Sequence, residues 1–222
     1  MTGRTPRLVQ LTEQDAEQAG AGLARAFASD PLFAYMLPDV DARRRLFPWF
    51  FTTCVRYGCQ RGEAWGIADG LEGELLGAAF WIRLPGSDVT SEHLEAAGFG
   101  AAAAVLGEAA WGRFLAVNRY MDEVQSRVAP PPCLYLVQLG VNPDQQGRGL
   151  GGQLLRRFLA AAEDAGLAAY LGTSEPNNLG FYRRHGLEVV ADEVEPDSGL
   201  RFWVLGRGLV TPAQDGVAPG LK

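Results

Sequence analysis

Leu139-Gly-Val-Asn-Pro-Asp-Gln-Gln-Gly-Arg-Gly-Leu-Gly-Gly152 is the stretch of this sequence that decides the fold. It joins an apolar segment, 133–141, which predicts a buried strand, to a segment with helical periodicity, 149–165. The start of a helix exposes free N–H groups and the positive end of the helix dipole, so it attracts anions. Glycines let a backbone approach a pyrophosphate closely. The loop therefore predicts a site for a ligand that carries a diphosphate.

Two well-known phosphate loops are compared with this stretch. A P-loop requires Lys followed by Ser or Thr after its glycines, whereas Gly151-Gly152-Gln153 stands here. The Rossmann motif G-x-G-x-x-G is satisfied by Gly147, Gly149 and Gly152, and Glu175 lies near the place of its ribose-binding acid. A Rossmann half needs further β-α-β units, and the remaining residues predict only a helix and a hairpin. The P-loop is excluded, and a Rossmann-type oxidoreductase that binds NAD(P) remains as an alternative.

Hydrophobic periodicity and turn residues predict a mixed α/β (α+β) order for the rest of the chain. A strand, a helix and a parallel strand within 133–173 form one crossover, and antiparallel pieces flank it. Asp30-Pro31 is interpreted as the end of the first helix, with an aromatic loop at 30–38. The other predicted strands are 7–11, 64–68, 74–84, 187–194 and 200–205, and the other predicted helices begin at Thr12 and cover 41–61 and 176–185, with one broken or two helices in 90–128.

Composition and charge limit the class of protein. Hydrophobic residues make up 47% of the 222 residues, which is enough to fill a core. The net charge is −6 and the basic clusters are short, so no nucleic-acid partner is expected. Cys54, Cys59 and Cys133 form no disulfide framework, and no metal spacing is present. The longest apolar stretch, 98–107, is too short to span a bilayer and no signal core precedes it, so a cytoplasmic protein without a membrane partner is expected.

The glycine loop resembles the acyl-CoA loop of the GNAT superfamily, whose motif is Gln/Arg-x-x-Gly-x-Gly/Ala. Gln146-Gly-Arg-Gly149-Leu-Gly151 matches it, and the block from Leu171 to Gly186 looks like the second signature of that family, with Asn178 and Tyr182. The resemblance runs from Tyr135 to about Leu205 and is closest to the puromycin N-acetyltransferase-like branch. It implies a GNAT fold over 1–210, in which a mixed, mostly antiparallel twisted sheet has one central parallel β-α-β crossover and helices on both faces. Residues 211–222 are expected to form a flexible tail.

The resemblance also implies a reaction: transfer of an acetyl group from acetyl-CoA, a co-substrate, to the amine of a small molecule, without a metal. Tyr182 would protonate the departing sulfur, since a phenol near pKa 10 stays protonated at neutral pH. The backbone at 139–141 would polarise the thioester carbonyl. The residues expected to bind the co-substrate are Leu139, Gly140, Val141, Gln146, Gly147, Arg148, Gly149, Leu150, Gly151, Gly152, Asn178 and Tyr182.

The acceptor site and the general base are less defined by the motifs. By resemblance the acceptor lies opposite the co-substrate, beside the first two helices, and the residues expected there are Asp30, Phe33, Tyr35 and Trp81. No carboxylate lies between Cys133 and Val141, which leaves a water chain or a remote carboxylate such as Asp30 as the base, and an amine of low pKa would need no strong base. Two positions depart from the branch: Gly172 stands where near relatives often have Glu, and Leu187 replaces a usual Phe.

Other functions of the same loop stay open at this point. A CoA-binding sensor without catalysis would keep the loop, and a protein N-acetyltransferase would keep the whole machinery. NAD(P) binding would distinguish the Rossmann alternative. The sequence leaves the oligomeric state open, with a homodimer as one arrangement.

Overall fold

The computed structural model describes residues 5–70, 73–85 and 91–208, so the tail predicted at 211–222 lies outside the described residues. Its strands are β1 (Pro6–Gln10), β2 (Gly62–Asp69), β3 (Leu75–Leu84), β4 (Cys133–Val141), β5 (Ala168–Thr173), β6 (Glu188–Val194) and β7 (Arg201–Arg207). Its helices are α1 (Ala16–Ala26), α2 (Pro31–Met36), α3 (Val40–Arg61), α4 (Ser91–Ala97), α5 (Ala102–Leu106), α6 (Glu108–Val128), α7 (Leu150–Asp164) and α8 (Asn178–Arg183). Short 3-10 turns cover Glu13–Asp15, Phe99–Ala101 and Pro143–Gln145.

The seven strands form one sheet in the order β1-β2-β3-β4-β5-β7-β6. Only β4 and β5 pair in parallel, and α7 is the crossover between them. The other five pairings are antiparallel. This topology confirms the predicted fold class, and it is incompatible with a Rossmann half, which is built from successive parallel units.

Helices cover both faces of the sheet. One core contains Phe33, Phe47, Phe50 and Phe51 from α2 and α3, together with Phe80 of β3. The second core joins α7 and α8 to the opposite face. β3 therefore has a buried residue at every position from Leu75 to Ile82, as expected for a strand covered on both sides.

The prediction of a loop at 30–38 is wrong, because α2 occupies most of it. Asp30 is the N-cap of this helix, and its Oδ1 accepts hydrogen bonds from the backbone N–H of Leu32 at 3.0 Å and of Phe33 at 3.4 Å. Pro31 follows at the first helical position, where its fixed φ suits a helix start. Asp-Pro thus begins a helix here, and α1 ends earlier, at Ala26.

The region predicted as one broken or two helices contains α4, α5 and α6. Gly98 has a φ of 108° and separates α4 from the next turn, and Gly107 precedes α6. The Thr12 start is confirmed: Thr12 and Asp15 form a capping box, with the Thr12 N–H donating to the Asp15 carboxylate at 2.8 Å. The predicted helix at 176–185 is shorter, Asn178–Arg183.

β4 and β5 separate before either strand ends. Their parallel pairing runs from Cys133 opposite Ala168 to Leu136 opposite Leu171, and β4 then continues to Val141 without β5. At the same point β4 contains a bulge, since Gln138 pairs with Phe80 and Leu136 pairs with Trp81, which leaves Val137 without a partner in β3. A bulge bends a strand and increases its twist. The bend opens a gap between β4 and the end of β5.

Candidate active site

The glycine loop meets the gap at the start of α7. Gly149 is the N-cap of α7 with a φ of 77°, and Gly147 has a φ of 74°, both in the left-handed region that favours glycine. A Cβ placed on either residue would meet no atom within 4 Å, so the space in front of the loop is open. The N–H groups of the first turn, Leu150 to Gly152, have no partner within the helix. The loop has the shape and polarity of an anion site.

The backbone of β4 turns polar groups towards the gap. The Asn142 N–H donates to the Leu76 carbonyl at 2.9 Å, so residue 142 bonds to β3. Because bonding direction alternates along a strand, Leu139 and Val141 direct their N–H and C=O groups away from β3. The Val141 carbonyl accepts a hydrogen bond from Gln146 Nε2 at 3.2 Å. Gln146 therefore fixes the glycine loop to β4, and Leu139 keeps backbone donors and acceptors for an extended ligand.

α8 lies on the other side of the gap. Asn178 and Tyr182 are four residues apart on α8, so they share one face, and both line the same cavity. The Asn178 amide contacts Thr173 Oγ1 at 3.4 Å. Tyr182 is only 7% exposed, and burial raises the pKa of its hydroxyl, with a further contribution from the negative charge of Asp30. The hydroxyl is thus a proton donor at neutral pH.

The cavity that continues from the gap has a volume of about 590 Å³, within the size range of small-molecule sites. α2, α3 and α6 supply one side of its wall, and β3, β4 and the end of β5 supply another. Most lining side chains are apolar. Among the described residues that line it, Asp30 and Asp122 are the only charged ones.

Asp30 combines a structural and an electrostatic feature. Burial raises the pKa of its carboxyl to about 6, and the nearby charge of Glu175 adds to the rise, whereas the two backbone N–H bonds at the start of α2 oppose it. The charge of Asp30 in turn acts on Tyr182. A carboxylate with a pKa near 6 and a tyrosine that stays protonated therefore share one cavity, and their environments separate an acid from a base.

The structure brings together only part of the predicted acceptor set. Asp30 and Phe33 line the cavity, whereas Tyr35 and Trp81 do not, which corrects their placement in the acceptor site. Phe33 and Tyr35 are two residues apart on a helix, and about 200° therefore separates their directions. Trp81 packs on the other face of the sheet, with its ring centre 5.6 Å from that of Phe158 on α7.

The residues of the predicted co-substrate set come from three neighbouring elements. Leu139 to Val141 form the end of β4, 146–152 form the loop and first turn of α7, and Asn178 and Tyr182 stand opposite on α8. The Arg148 side chain bonds to the Gln145 side chain within the loop. Their role in binding stays a prediction.

Sequence reasoning missed most of the cavity wall, including Phe80, Tyr57 and Asp122. Phe80 is the neighbour of Trp81 and faces the cavity because successive residues of a strand point to opposite faces. Tyr57 lies in α3 and Asp122 in α6, and neither belongs to a motif. Only their long-range packing against β4 places them at the site.

The glycine at 172 has a local explanation. A Cβ on Gly172 would lie 2.8 Å from the Tyr135 hydroxyl oxygen and 3.4 Å from Met121 Cε. Tyr135 is inside the protein, and burial raises the pKa of its hydroxyl. The tyrosine on β4 therefore fills the space next to β5 in which a side chain at 172 would begin.

Within the described ranges, no group of three or more His, Cys, Asp or Glu side chains is arranged to hold a metal ion. Over the same ranges, no helix has both the length and the apolarity needed to cross a bilayer.

Comparison with known proteins gives a family and a fold. A model of the acetyltransferase (GNAT) family matches residues 41–187. The structure of histone acetyltransferase HPA2 and related acetyltransferase from Corynebacterium glutamicum is 22% identical, with a TM-score of 0.67 over 94% of this chain and 99% of that one.

Two structures from insects are also similar. The polyamine N-acetyltransferase of Drosophila melanogaster, which forms N-acetylagmatine, is 18% identical, with a TM-score of 0.60 over 92% of this chain and all (100%) of that one. A mosquito arylalkylamine N-acetyltransferase, like 5b, is 13% identical, with a TM-score of 0.54 over 91% and 99% of the two chains. At these identities the likeness to solved structures shows the fold alone.

Proposed function

This chain belongs to the GNAT acetyltransferase family, and we propose that it transfers the acetyl group of acetyl-CoA to the amine of a small molecule. The observation that carries the proposal is one cavity in which Tyr182 and Asp30 both meet the gap between β4 and β5. The gap leads to the glycine loop at the start of α7. The acid, the base and the backbone of Leu139 therefore border one cavity, and the glycine loop follows β4 at its end.

The described residues fit the co-substrate in two places. The first-turn N–H groups from Leu150 to Gly152 suit a pyrophosphate, and the open space before Gly147 and Gly149 admits it. The backbone of Leu139 suits the amides of a pantetheine arm, because strand-like pairing needs donors and acceptors turned away from β3. When bound, acetyl-CoA supplies an activated acetyl thioester and a thiol leaving group.

Asp30 is proposed as the general base. An alkylamine has a pKa near that of lysine, about 10.4, so it reaches the site protonated and must lose a proton before it can attack. Asp30 is mostly ionised at neutral pH, with a pKa of about 6, and it accepts that proton directly or through water. Its backbone hydrogen bonds use Oδ1, which leaves Oδ2 for the amine.

Tyr182 is proposed as the general acid. The amine nitrogen forms a bond to the carbonyl carbon, the carbon–sulfur bond breaks, and the sulfur takes the proton of the Tyr182 hydroxyl. The acylated nitrogen then loses its second proton through water to the Tyr182 phenolate, which restores the tyrosine, and Asp30 releases the proton that it took to solvent. The products are an N-acetyl amine, a free thiol and one released proton. Burial raises the pKa of Tyr182, but the same apolar surroundings destabilise a thiolate, so the mismatch between donor and acceptor is limited.

A small amine is favoured as acceptor by the size and charge of the cavity. It is bordered by helices and strands, and the two charged residues among the described ones that line it are both carboxylates, which attract a cation. The polyamine and arylalkylamine N-acetyltransferases among the similar structures act on small amines. The puromycin N-acetyltransferase-like branch stays a proposal, supported by the Asn178 and Tyr182 signature. A catalytically silent sensor would have no need for both Tyr182 and Asp30.

The test combines binding with turnover. Isothermal titration with acetyl-CoA and, separately, with NADH is followed by a free-thiol assay over a panel of amines that includes puromycin. We expect acetyl-CoA to bind, NADH not to bind, and at least one amine to release thiol. Binding of acetyl-CoA without thiol release with any amine would contradict the proposed activity and favour a sensor. Binding of NADH alone would refute acetyl-CoA as the co-substrate.

A further inference from the structure

A second carboxylate borders the cavity and has no role in the transfer step. Asp122 lies on α6, and its side chain is accessible to solvent because it borders the open cavity. The surrounding protein atoms nevertheless raise the pKa of its carboxyl to about 6 by partial burial. The carboxylate makes no hydrogen bond or ion pair with the described residues. Because Asp122 is exposed at the border of a mainly apolar cavity, its negative charge attracts a cation that enters the cavity.

Two tyrosines face this carboxylate from other elements. Tyr57 of α3 is 7% exposed and lines the cavity, and its hydroxyl has no hydrogen-bond partner among the described residues. The pKa of Tyr57 is raised by burial, lowered by the charge of Arg61 and raised by that of Asp122. Tyr135 of β4 packs with Tyr57, and Asp122 also raises its pKa. A carboxylate and an unpartnered hydroxyl that is nine-tenths buried form a pair of acceptors suited to a primary ammonium.

Apart from Asp30 and Asp122, the lining of the cavity is mainly apolar. Asp30 and Asp122 come from α2 and α6, and no cationic side chain of the described lining residues neutralises either of them. The other side chains that line the cavity are mainly apolar, including Phe80, Phe114 and Met121. A hydrocarbon chain with an amine at each end matches this distribution. A single amine on an apolar or aromatic body would leave one carboxylate uncompensated.

We propose that Asp122, with Tyr57, forms a subsite for the distal cation of the acceptor, so the acceptors are linear diamines and related dications. This inference rests on the proposed function, because it assigns the reacting amine to the Asp30 end of the same cavity. Asp122 is a specificity residue here: it holds the end of the acceptor that does not react. A hydrogen bond to a charged group contributes about 1.5–3 kcal/mol, which is roughly 10- to 100-fold in affinity.

The experiment compares acceptors that differ by one charge. kcat and KM are measured by thiol release for a series of linear diamines, each beside the monoamine of the same chain length, with the wild-type protein and with Asp122→Asn. We expect the wild type to prefer the diamine by about 10- to 100-fold in kcat/KM. Asp122→Asn should lose that preference through a higher KM for the diamine, with kcat retained and a much smaller change in KM for the monoamine. Glu123→Gln, which removes an exposed charge one residue along α6, is the matched control and should behave as the wild type.

Three results would overturn the subsite. The wild type shows no preference for diamines; the preference survives in Asp122→Asn; or the variant loses kcat on monoamines and diamines alike, which assigns Asp122 to proton transfer. Calorimetric titration of a diamine into each protein with CoA present measures the same difference without turnover. A protein that acetylates nothing would refute the proposed function, whereas the Asp122-dependent loss of diamine binding in this titration would still establish the subsite. Equal binding to both proteins would refute the subsite.

Discussion

Asp30→Asn is the substitution that separates the two roles of this residue. Asn accepts the backbone N–H bonds of a helix N-cap about as well as Asp does, so α2 keeps its start, but the base is lost. The pKa of Asp30 rises from 3.8 to about 6 on folding. A rise of about two units corresponds to roughly 3 kcal/mol against the charged form, since one unit is 1.36 kcal/mol.

The sign of the effect on stability follows from proton binding. Between pH 3.8 and about 6 the folded chain binds more protons at Asp30 than the unfolded chain does, so the free energy of unfolding falls as pH rises through this window. Above it the ionised side chain destabilises the fold by up to about 3 kcal/mol. We therefore expect Asp30→Asn to raise the free energy of unfolding at neutral pH by about 1–3 kcal/mol and to have little effect near pH 3.5.

The effect on rate has the opposite sign. Loss of a general base typically lowers the rate by about 100- to 10,000-fold. In the wild type kcat/KM should fall about tenfold per unit below pH 6 as Asp30 becomes protonated, and the variant should lack that fall. The pH profile is measured with a monoamine, because Asp122 has a pKa in the same range and would change the binding of a diamine. Glu175 and Tyr182 are the other titratable groups that interact with Asp30.

Thiol release and urea denaturation across the pH range test both expectations on the same samples. Asp39→Asn is the matched control: Asp39 caps α3 through the Ala42 N–H at 2.8 Å, but it is exposed and does not line the cavity. Its rate should equal that of the wild type. A variant Asp30→Asn that keeps its rate, or that loses stability at neutral pH, would refute the assignment of a desolvated base.

Three further substitutions test the acid, the loop and the contact at β5. Tyr182→Phe should lower the rate about 100-fold with CoA affinity retained by titration, and an unchanged rate would remove the acid. Gly149→Asp should abolish CoA binding, because it places bulk and negative charge at the anion site. Gly166→Asp is the control, since Gly166 has a similar φ of 65° beyond the other end of α7, and this variant should bind CoA normally. Equal CoA affinities of the two variants would refute the assignment of the glycine loop as the phosphate site. Gly172→Ala should destabilise the fold by about 1–3 kcal/mol, because its Cβ would lie 2.8 Å from the Tyr135 hydroxyl oxygen. In urea denaturation, the added substitution Tyr135→Phe should restore most of the lost free energy of unfolding. A double variant as unstable as the single variant would show that the contact with Tyr135 is not the cause.

The sequence predicts the elements whose signal is local. The crossover through α7 and the pair Asn178 and Tyr182 follow from short patterns that depend on few distant contacts. Asp30-Pro31 is ambiguous for a physical reason, since Asp before Pro is both a helix stop and an N-cap with Pro at the first position.

The residues that line the cavity could not be predicted from the sequence. Leu75 to Ile82 of β3 is apolar without alternation because both of its faces are buried, so the sequence does not reveal which of Phe80 and Trp81 meets the cavity. Asp122 is one of several solvent-exposed charges on its helix, and only the fold places it at the cavity, where its charge acts on Tyr135 of β4. Long-range contacts of this kind leave no mark in the local pattern.

The separation of β4 from β5 gives the protein a sheet that its own chain does not complete. With Leu139 turned away from β3, an extended ligand of the kind proposed for this gap would complete the hydrogen-bond ladder, so its binding energy would also stabilise the fold. At a hundred-fold excess over Kd such a ligand adds about 2.7 kcal/mol to the free energy of unfolding. Amide hydrogens on both sides of the gap between β4 and β5 would then exchange slowly only in the presence of CoA. The small unfolded fraction of this protein in a cell would thus fall as the supply of the proposed co-substrate rises.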